Sequence, residues 1–153
     1  MAVEIRIDDL NGPEIAALLQ THAELMLSQS PAESCHFLPI DGLRDPAVTM
    51  WSQWEGEALL GCGALKDIGN GQGEIKSMHT RAAERGRGLG EQMLMHVMAE
   101  ARARGMTALY LETGAPEGFI PARRLYEKHG FALCGPFGDY TLDPMSVFMS
   151  RAL

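Results

Sequence analysis

Hydrophobic residues recur along the chain at two spacings, and these predict strands and helices in a definite order. Short extended runs bounded by glycine and other turn residues predict strands. The seven predicted strands are Val3–Ile7, Val48–Glu55, Ala58–Leu65, Glu74–Thr80, Thr107–Thr113, Phe131–Cys134 and Met145–Arg151. Apolar residues spaced three and four apart predict helices. The helices are predicted after Gly12-Pro13, from Leu89 to Gly105 and at Pro121–His129.

The connections between these elements predict how the strands pair. The three strands between Val48 and Thr80 are joined by short glycine-containing turns, so they should form an antiparallel meander. The helix from Leu89 to Gly105 is a crossover that makes the strands on either side of it parallel. The predicted order is β-α-β-β-β-α-β-α-β-β. This is an α/β (α+β) fold with a mixed central sheet of about seven strands flanked by helices.

One irregular segment and one polar residue on an apolar helix face interrupt the regular pattern. Ser30–Arg44 contains two prolines and little periodicity, so it is predicted to be a loop or a broken helix. His22 falls on the apolar face of the first helix and is interpreted as a core residue rather than a ligand.

Composition narrows the class of protein. The chain has 153 residues, 46% hydrophobic and 22% charged, which fits a single domain over residues 1–153. No apolar run is long enough to cross a bilayer, and the N-terminus lacks the regions of a secretory signal. We therefore expect no membrane partner. The three cysteines form no CxxC pair, so we expect reduced thiols and a cytoplasmic location. The formal net charge of −7 disfavours nucleic acid as a partner.

The segment with the clearest chemistry is Arg85-Gly86-Arg87-Gly88-Leu89-Gly90, between a predicted strand and a helix. Its glycines permit backbone conformations that point successive N–H groups at one place, and the helix adds the positive end of its dipole. These features predict a diphosphate site, to which Arg85 and Arg87 add charge-assisted hydrogen bonds. P-loop and dinucleotide motifs do not fit the spacing. A glycine turn that caps the helix without a ligand is the alternative.

Two motifs make the chain resemble a known family. Met78-x-Thr80-x-x-x-x-Arg85-Gly86-x-Gly88-x-Gly90 resembles the coenzyme A signature of the GNAT N-acetyltransferases. Ala122–Phe131 resembles that superfamily's second signature, Ala-x-x-Leu-Tyr-x-x-x-Gly-Phe. The order of elements also matches the GNAT fold over nearly the whole chain. Leu111–Gly114, Pro136–Gly138 and Asp143-Pro144 further resemble a subgroup of small bacterial members labelled YsnE-like.

The resemblance implies a GNAT fold and transfer of an acetyl group from acetyl-CoA directly to an amine. No metal is expected, because His79, His96 and His129 show no metal-ligand spacing with one another or with cysteine. The residues it assigns to the cosubstrate are Met78, His79, Thr80, Arg85, Gly86, Arg87, Gly88, Leu89 and Gly90. In this family the pantetheine arm lies along the fourth strand, where the fourth and fifth strands splay apart. A main-chain N–H near Met78 would stabilise the oxyanion. Tyr126 takes the position of the acid that protonates the leaving thiolate.

Several residues are candidates for binding the acceptor amine and removing its proton. Glu74 and Glu112 are both candidates for the base that removes the amine proton, and Glu74 resembles the position that some family members use. A solvated carboxylate at the strand end is the alternative for Glu74. The candidate substrate-binding residues are Glu33, Ser34 and His36 in the early loop, together with Glu112. Phe119 occupies a place where GNATs commonly carry Asn, so we expect the pantetheine arm to be held differently there.

Three functions of different classes fit these sequence features. A tyrosine at position 126 favours an enzyme that acetylates a primary amine, with a small molecule preferred over a protein as the acceptor. The alternative is a coenzyme A-binding sensor or regulatory module without turnover. A third reading is an interaction module whose last strand offers a dimer edge. The sequence identifies neither the acceptor nor the oligomeric state, although homodimers are common in the family.

Overall fold

A computed structural model describes residues 2–153, which form a seven-stranded mixed sheet flanked by helices. The strands are β1 (Val3–Ile7), β2 (Val48–Glu55), β3 (Ala58–Gly69), β4 (Gln72–Thr80), β5 (Ala108–Gly114), β6 (Ala132–Cys134) and β7 (Ser146–Ala152). The helices are α1 (Pro13–Gln29), α2 (Ile40–Leu43), α3 (Leu89–Ala103) and α4 (Ile120–Lys128). Apart from the one-turn α2, the predicted order of elements is confirmed.

The strands lie in the order β1-β2-β3-β4-β5-β7-β6, and only β4 and β5 pair in parallel. The meander is therefore confirmed, but its last turn is tighter than predicted. Gly69 pairs with Gln72, so Asn70-Gly71 is a two-residue turn. Asn70 and Gly71 have φ values of 57° and 73°, the left-handed conformation that an Asn-Gly hairpin adopts.

Local residues explain where the helices begin and end. Pro13 opens α1, and Pro121 lies in the first turn of α4. Gly88 precedes α3 and Gly105 follows it, with φ values of 77° and 78°. The stretch after α1 contains a 3₁₀ turn at Ala32–Ser34 and then α2, which agrees with the prediction of a broken helix.

The sheet separates two apolar cores. The core on the α3 and α4 side is formed by Trp51, Leu65, Ile75, Met93, Leu94, Val97, Met98, Ala101, Met106, Leu109, Leu111, Tyr126, Phe131 and Met149. The core on the α1 side is formed by Leu10, Ile15, Leu18, Leu19, Leu43, Met50, Leu59, Cys62 and Ala64. Since Ile75 and Leu111 face α3, the strand period of two places Glu74, Lys76 and Glu112 on the α1 face.

Two irregularities in the centre of the sheet create space for a site. The parallel pairing of β4 with β5 ends at Glu74 and Tyr110, and beyond that point β5 pairs with β7 alone. Within β4, Ser77 has a φ of 55° and marks a bulge. The unpaired part of β4 and the bulge therefore lie together, where the two strands diverge.

Within residues 2–153, no helix combines the length and the hydrophobicity that a membrane span requires.

Candidate active site

A cavity of about 520 Å³ lies between the diverging ends of β4 and β5, in the usual size range of small-molecule sites. Residues from α1, the loop after it, β4, the turn before α3, β5 and α4 all line it. The predicted site residues that line it are Ser34, His36, Glu74, Met78, His79, Thr80, Arg85, Gly86, Gly88, Leu89, Gly90, Glu112 and Tyr126. Glu33 and Arg87 are predicted site residues that lie outside this lining. Glu33 is exposed.

The turn before α3 presents a row of backbone donors. Gly86 and Gly88 have φ values of 85° and 77°, which side-chain-bearing residues rarely adopt. Among residues 2–153, no protein acceptor is bonded to the N–H groups of residues 86–91. A Cβ added at Gly86 or Gly88 would meet no atom within 4 Å. The turn is thus an open nest of N–H groups at a helix N-terminus, a geometry suited to an anion.

The two arginines of the turn have different environments. The Arg87 guanidinium donates to Glu84 Oε2 at 2.6 Å and to Glu55 Oε2 at 3.0 Å. Arg85 lines the cavity and forms no ion pair with any residue that the structure describes. The structure therefore brings the predicted Arg85 charge to the cavity but holds the Arg87 side chain against two carboxylates instead.

The bulge in β4 is specified by its neighbour on β3. The register passes from Ala64 opposite Lys76 to Cys62 opposite His79, so Ser77 and Met78 both face Gly63. A Cβ at Gly63 would come within 2.7 Å of the Met78 and Met93 side chains. Glycine avoids that overlap, and the bulge turns the backbone around Met78 relative to the regular ladder.

Tyr126 lies on α4 at the cavity wall. Its side chain packs edge-on against Phe131, with ring centroids 5.8 Å apart, and the residue is 7% exposed. The hydroxyl forms no hydrogen bond with any residue in the described range 2–153, so packing alone holds the ring. Burial raises the pKa of Tyr126 to about 12, which keeps the phenol protonated at neutral pH.

Glu74 is held in a buried polar cluster on the α1 face. The Tyr140 hydroxyl donates to Glu74 Oε2 at 2.6 Å, and Lys76 Nζ donates to the same oxygen at 3.1 Å. The Glu74 and Lys76 side chains are 6% and 8% exposed. Sequence reasoning missed Tyr140, because it lies 66 residues from Glu74 in a loop without periodicity. The cluster rules out the alternative in which Glu74 is a solvated carboxylate.

Glu112 has a different environment on the same face. It lines the cavity and forms no ion pair with any residue in 2–153; the neutral Ser146 hydroxyl is the donor beside it. Burial is the main cause that raises the pKa of Glu112 to about 7, partly opposed by the Ser146 hydroxyl and Lys76. Glu112 therefore changes protonation state near neutral pH.

Two histidines meet beside the bulge. His22 Nδ1 and His79 Nδ1 are 3.0 Å apart, so one ring donates to the other. Burial, together with the neighbouring His79, lowers the pKa of His22 to about 4; burial and the Arg85 charge lower the pKa of His79 to about 4. Both rings are neutral at pH 7. His22 is buried as predicted but also lines the cavity, a role that its apolar helix face did not reveal.

Comparison with known proteins places this geometry in a family. The profile of the acetyltransferase (GNAT) family matches residues 15–131. The chain is 48% identical over 151 residues to the uncharacterized N-acetyltransferase YsnE of Bacillus subtilis, covering 99% of this chain and 100% of YsnE. It is 48% identical over 149 residues to the uncharacterized N-acetyltransferase YedL of Escherichia coli, covering 97% and 94%. The chain belongs to the GNAT acetyltransferase family.

Within the GNAT family the chain falls in the YsnE-like subgroup, as its motifs predicted. It is also 41% identical over 124 residues to the IAA acetyltransferase of Azospirillum brasilense, covering 80% of each chain. A Klebsiella pneumoniae structure named as an acyl-CoA N-acyltransferase superposes with a TM-score of 0.81 at 28% identity, covering 99% and 97%. A Bacillus subtilis acetyltransferase in complex with CoA superposes with a TM-score of 0.73 at 18% identity, covering 99% of each chain.

Phe119 marks this chain's departure from the usual GNAT pattern. The residue is 9% exposed and lines the cavity between β5 and α4. A Cβ at Gly114 would overlap the Phe119 ring, so Gly114 makes room for it. An apolar ring, rather than an amide, thus forms this part of the wall.

Among residues 2–153, no group of three or more His, Cys, Asp or Glu side chains is arranged to hold a metal ion.

Proposed function

We propose that this GNAT enzyme transfers an acetyl group from acetyl-CoA to a primary amine of a small molecule, in a ternary complex. The observation that carries the proposal is one cavity that joins three features: the open N–H nest before α3, the unpaired edge of β4 and the protonated phenol of Tyr126. The CoA present in the Bacillus subtilis structure of the same fold supports the choice of cosubstrate.

The residues present fit such a cosubstrate. The unbonded N–H groups of residues 86–91 and the α3 dipole would hold a diphosphate, and Arg85 would add a charge-assisted hydrogen bond. The edge of β4 from Ile75 to Thr80 has no partner on its β5 side, so it offers ladder groups to the amides of a pantetheine arm. His79 and Thr80 contribute here through the backbone.

The thioester supplies the activated acetyl group, and the chain supplies a donor and an acid. The donor would be the main-chain N–H near Met78, at the bulge in β4, and one such donor is worth about 3 kcal/mol in comparable sites. Tyr126 protonates the departing thiolate, a role that contributes about 10²–10⁴-fold in rate. Its hydroxyl is suited to this step because it has no structural hydrogen bond to break.

The cavity favours a small acceptor. A volume of about 520 Å³ has to hold both the pantetheine end and the acceptor. The acceptor side is bounded by Ser34, His36 and Glu112, with Leu25 and Met26 of α1 as apolar neighbours. This combination suits a compact amine with an apolar body.

A thiol-release assay tests the proposal. The enzyme is mixed with acetyl-CoA and a panel of n-butylamine, phenethylamine, lysine, a lysine peptide and IAA, the last because a relative carries that name. We expect thiol release with at least one small amine, and a rise in Tm on adding acetyl-CoA alone. A Tm rise without thiol release from any acceptor would favour the sensor hypothesis. No Tm rise at saturating acetyl-CoA would contradict the proposal.

A further inference from the structure

Two carboxylates, Glu74 and Glu112, lie on the acceptor face of the sheet, but only one is available to a ligand. Glu74 Oε2 accepts hydrogen bonds from the Tyr140 hydroxyl at 2.6 Å and from Lys76 Nζ at 3.1 Å. The ammonium of Lys76 cancels the charge of Glu74 inside the protein. A second cation would have to displace these contacts from a side chain that is only 6% exposed.

Lys76 is fully engaged and cannot neutralise Glu112 as well. Its Nζ donates to Glu74 Oε2 at 3.1 Å, to the Tyr140 hydroxyl at 2.9 Å and to the His36 carbonyl at 3.4 Å. An ammonium has three N–H donors, and these contacts use all three. Lys76 therefore lowers the pKa of Glu112 only through its charge at a distance.

Glu112 is thus the uncompensated carboxylate on the acceptor face. It lies on β5 directly beyond the point where β4 and β5 part, next to the unpaired edge of β4. It lines the cavity, and within residues 2–153 it has no cation paired with it, only the neutral Ser146 hydroxyl beside it. A half-buried carboxylate without a paired cation carries a desolvation cost, and a cationic ligand would offset it.

We propose that Glu112, rather than Glu74, receives the ammonium group of the acceptor and takes its proton during acetyl transfer. Glu74, Lys76 and Tyr140 form a fixed unit that shapes the wall behind it and joins the loop after α1 to the segment before β7. The inference rests on the proposed function and names the residue and the charge by which the acceptor is recognised.

The transfer balances with these groups alone. The amine nitrogen forms the new C–N bond with its lone pair, and the C–S bond breaks with its electron pair moving to sulfur. The ammonium loses one proton to the Glu112 carboxylate before attack, and the nitrogen loses a second proton as the amide forms. Tyr126 gives its proton to the thiolate, and the second amine proton restores the phenol. Glu112 then releases its proton to solvent, so no other reactant is required.

The groups around Glu112 set the pH range in which its carboxyl loses a proton. Glu74 and Lys76 face it from β4, Asp143 and Tyr140 from the segment before β7, Ser146 from β7 and Cys35 from the loop after α1. The carboxylates among them and burial raise its pKa, while Lys76 and Ser146 lower it. The resulting pKa of about 7 suits a base that must be ionised in the free enzyme near neutral pH.

The test is the pH dependence of kcat/KM for wild type, Glu112→Gln and Glu74→Gln, at saturating acetyl-CoA. The acceptor is whichever of n-butylamine and phenethylamine gives the higher rate. For the wild type we expect kcat/KM to rise with pH through a limb near pH 7, because Glu112 must lose its proton. Glu112→Gln should lower kcat/KM by about 10²-fold or more and abolish the limb. Glu74→Gln should keep the limb, although it weakens the buried cluster.

Two controls separate a catalytic effect from misfolding. Glu127→Gln removes an exposed carboxylate from α4, outside the cavity, and should leave the profile unchanged. Glu112→Asp should restore part of the limb at a reduced rate, and the Kd for acetyl-CoA should match wild type in every variant. A limb that persists in Glu112→Gln, or that disappears only in Glu74→Gln, would overturn the inference. Absence of turnover in the wild type would overturn the proposed function, and the inference with it.

Discussion

The two ends of the cavity are built in different ways. At the proposed cosubstrate end the candidate ligand groups are backbone N–H groups of six consecutive residues, 86–91, at one helix terminus. At the proposed acceptor end they are side chains from β4, β5, the loop after α1 and the segment before β7. The first end depends on backbone conformation within one short segment, whereas the second depends on contacts between residues far apart in the chain.

The difference explains why one end has a sequence signature and the other does not. A left-handed glycine turn needs glycine whatever the rest of the protein does, so it can be read from the sequence. A buried ion pair such as Glu74–Lys76 and its partner Tyr140 need only be near each other after folding. Substitutions that act at one end of the cavity and spare the other therefore test whether the two ends are independent.

The largest expected effect comes from the acid between the two ends. Tyr126→Phe keeps the ring packed against Phe131 and removes only the hydroxyl, so kcat should fall about 10²–10⁴-fold. The Kd for acetyl-CoA, measured by calorimetry, should stay at the wild-type value. Tyr110→Phe, at a tyrosine outside the cavity lining, is the matched control and should keep its activity. Equal kcat for Tyr126→Phe and wild type would remove Tyr126 from the mechanism.

The next largest effect is at the cosubstrate end. Arg85→Gln should weaken acetyl-CoA binding by about 10–100-fold, the value of one or two hydrogen bonds to a charged group. Arg87→Gln should change the Kd by about twofold or less, because Arg87 is paired with Glu55 and Glu84 at the surface. Calorimetric titration of both variants with acetyl-CoA checks the difference. A larger loss in Arg87→Gln would show that this side chain leaves its partners to reach the ligand.

At the acceptor end, stability should depend on pH through Glu112. Its pKa is raised from 4.5 to about 7 on folding, so the folded protein binds this proton more tightly than the unfolded chain. Stability therefore falls as pH rises through this range, and Glu112→Gln should avoid the loss. Between pH 5 and pH 8 the variant should gain on the order of 1–2 kcal/mol relative to wild type in urea unfolding. A gain that is the same at both pH values would contradict a raised pKa.

The smallest expected effect distinguishes the anion-binding turn before α3 from the ordinary glycine terminus after it. Gly88 and Gly105 lie at opposite ends of α3, with φ values of 77° and 78° and no atom within 4 Å of an added Cβ. Alanine at either position should cost about 1 kcal/mol of stability, because both adopt the left-handed conformation. Only Gly88→Ala should also weaken acetyl-CoA binding. Equal affinities of the two variants would place the diphosphate elsewhere.

The local pattern predicted much of the fold and the cosubstrate end. Spacing of apolar residues gave the strands and three longer helices, and connection lengths gave the antiparallel meander and the parallel β4–β5 pair. A glycine-containing turn between β3 and β4 was predicted, but the two-residue Asn70-Gly71 hairpin was not, so the strand ends lie a few residues beyond the predicted ones. The resemblance to GNAT motifs then indicated Tyr126 and the divergence of β4 from β5.

By itself the sequence determined those features whose cause lies within a few residues, such as the glycine nest and the buried faces of helices and strands. Only the tertiary structure decided which charged groups meet: Arg87 with Glu55, His22 with His79, and Tyr140 with Glu74. These partners are 32, 57 and 66 residues apart. Their contacts depend on how the sheet and loops pack, because the residues next to a side chain in the sequence do not identify a partner far along the chain. Within residues 2–153, the same packing leaves Glu112 without a paired cation.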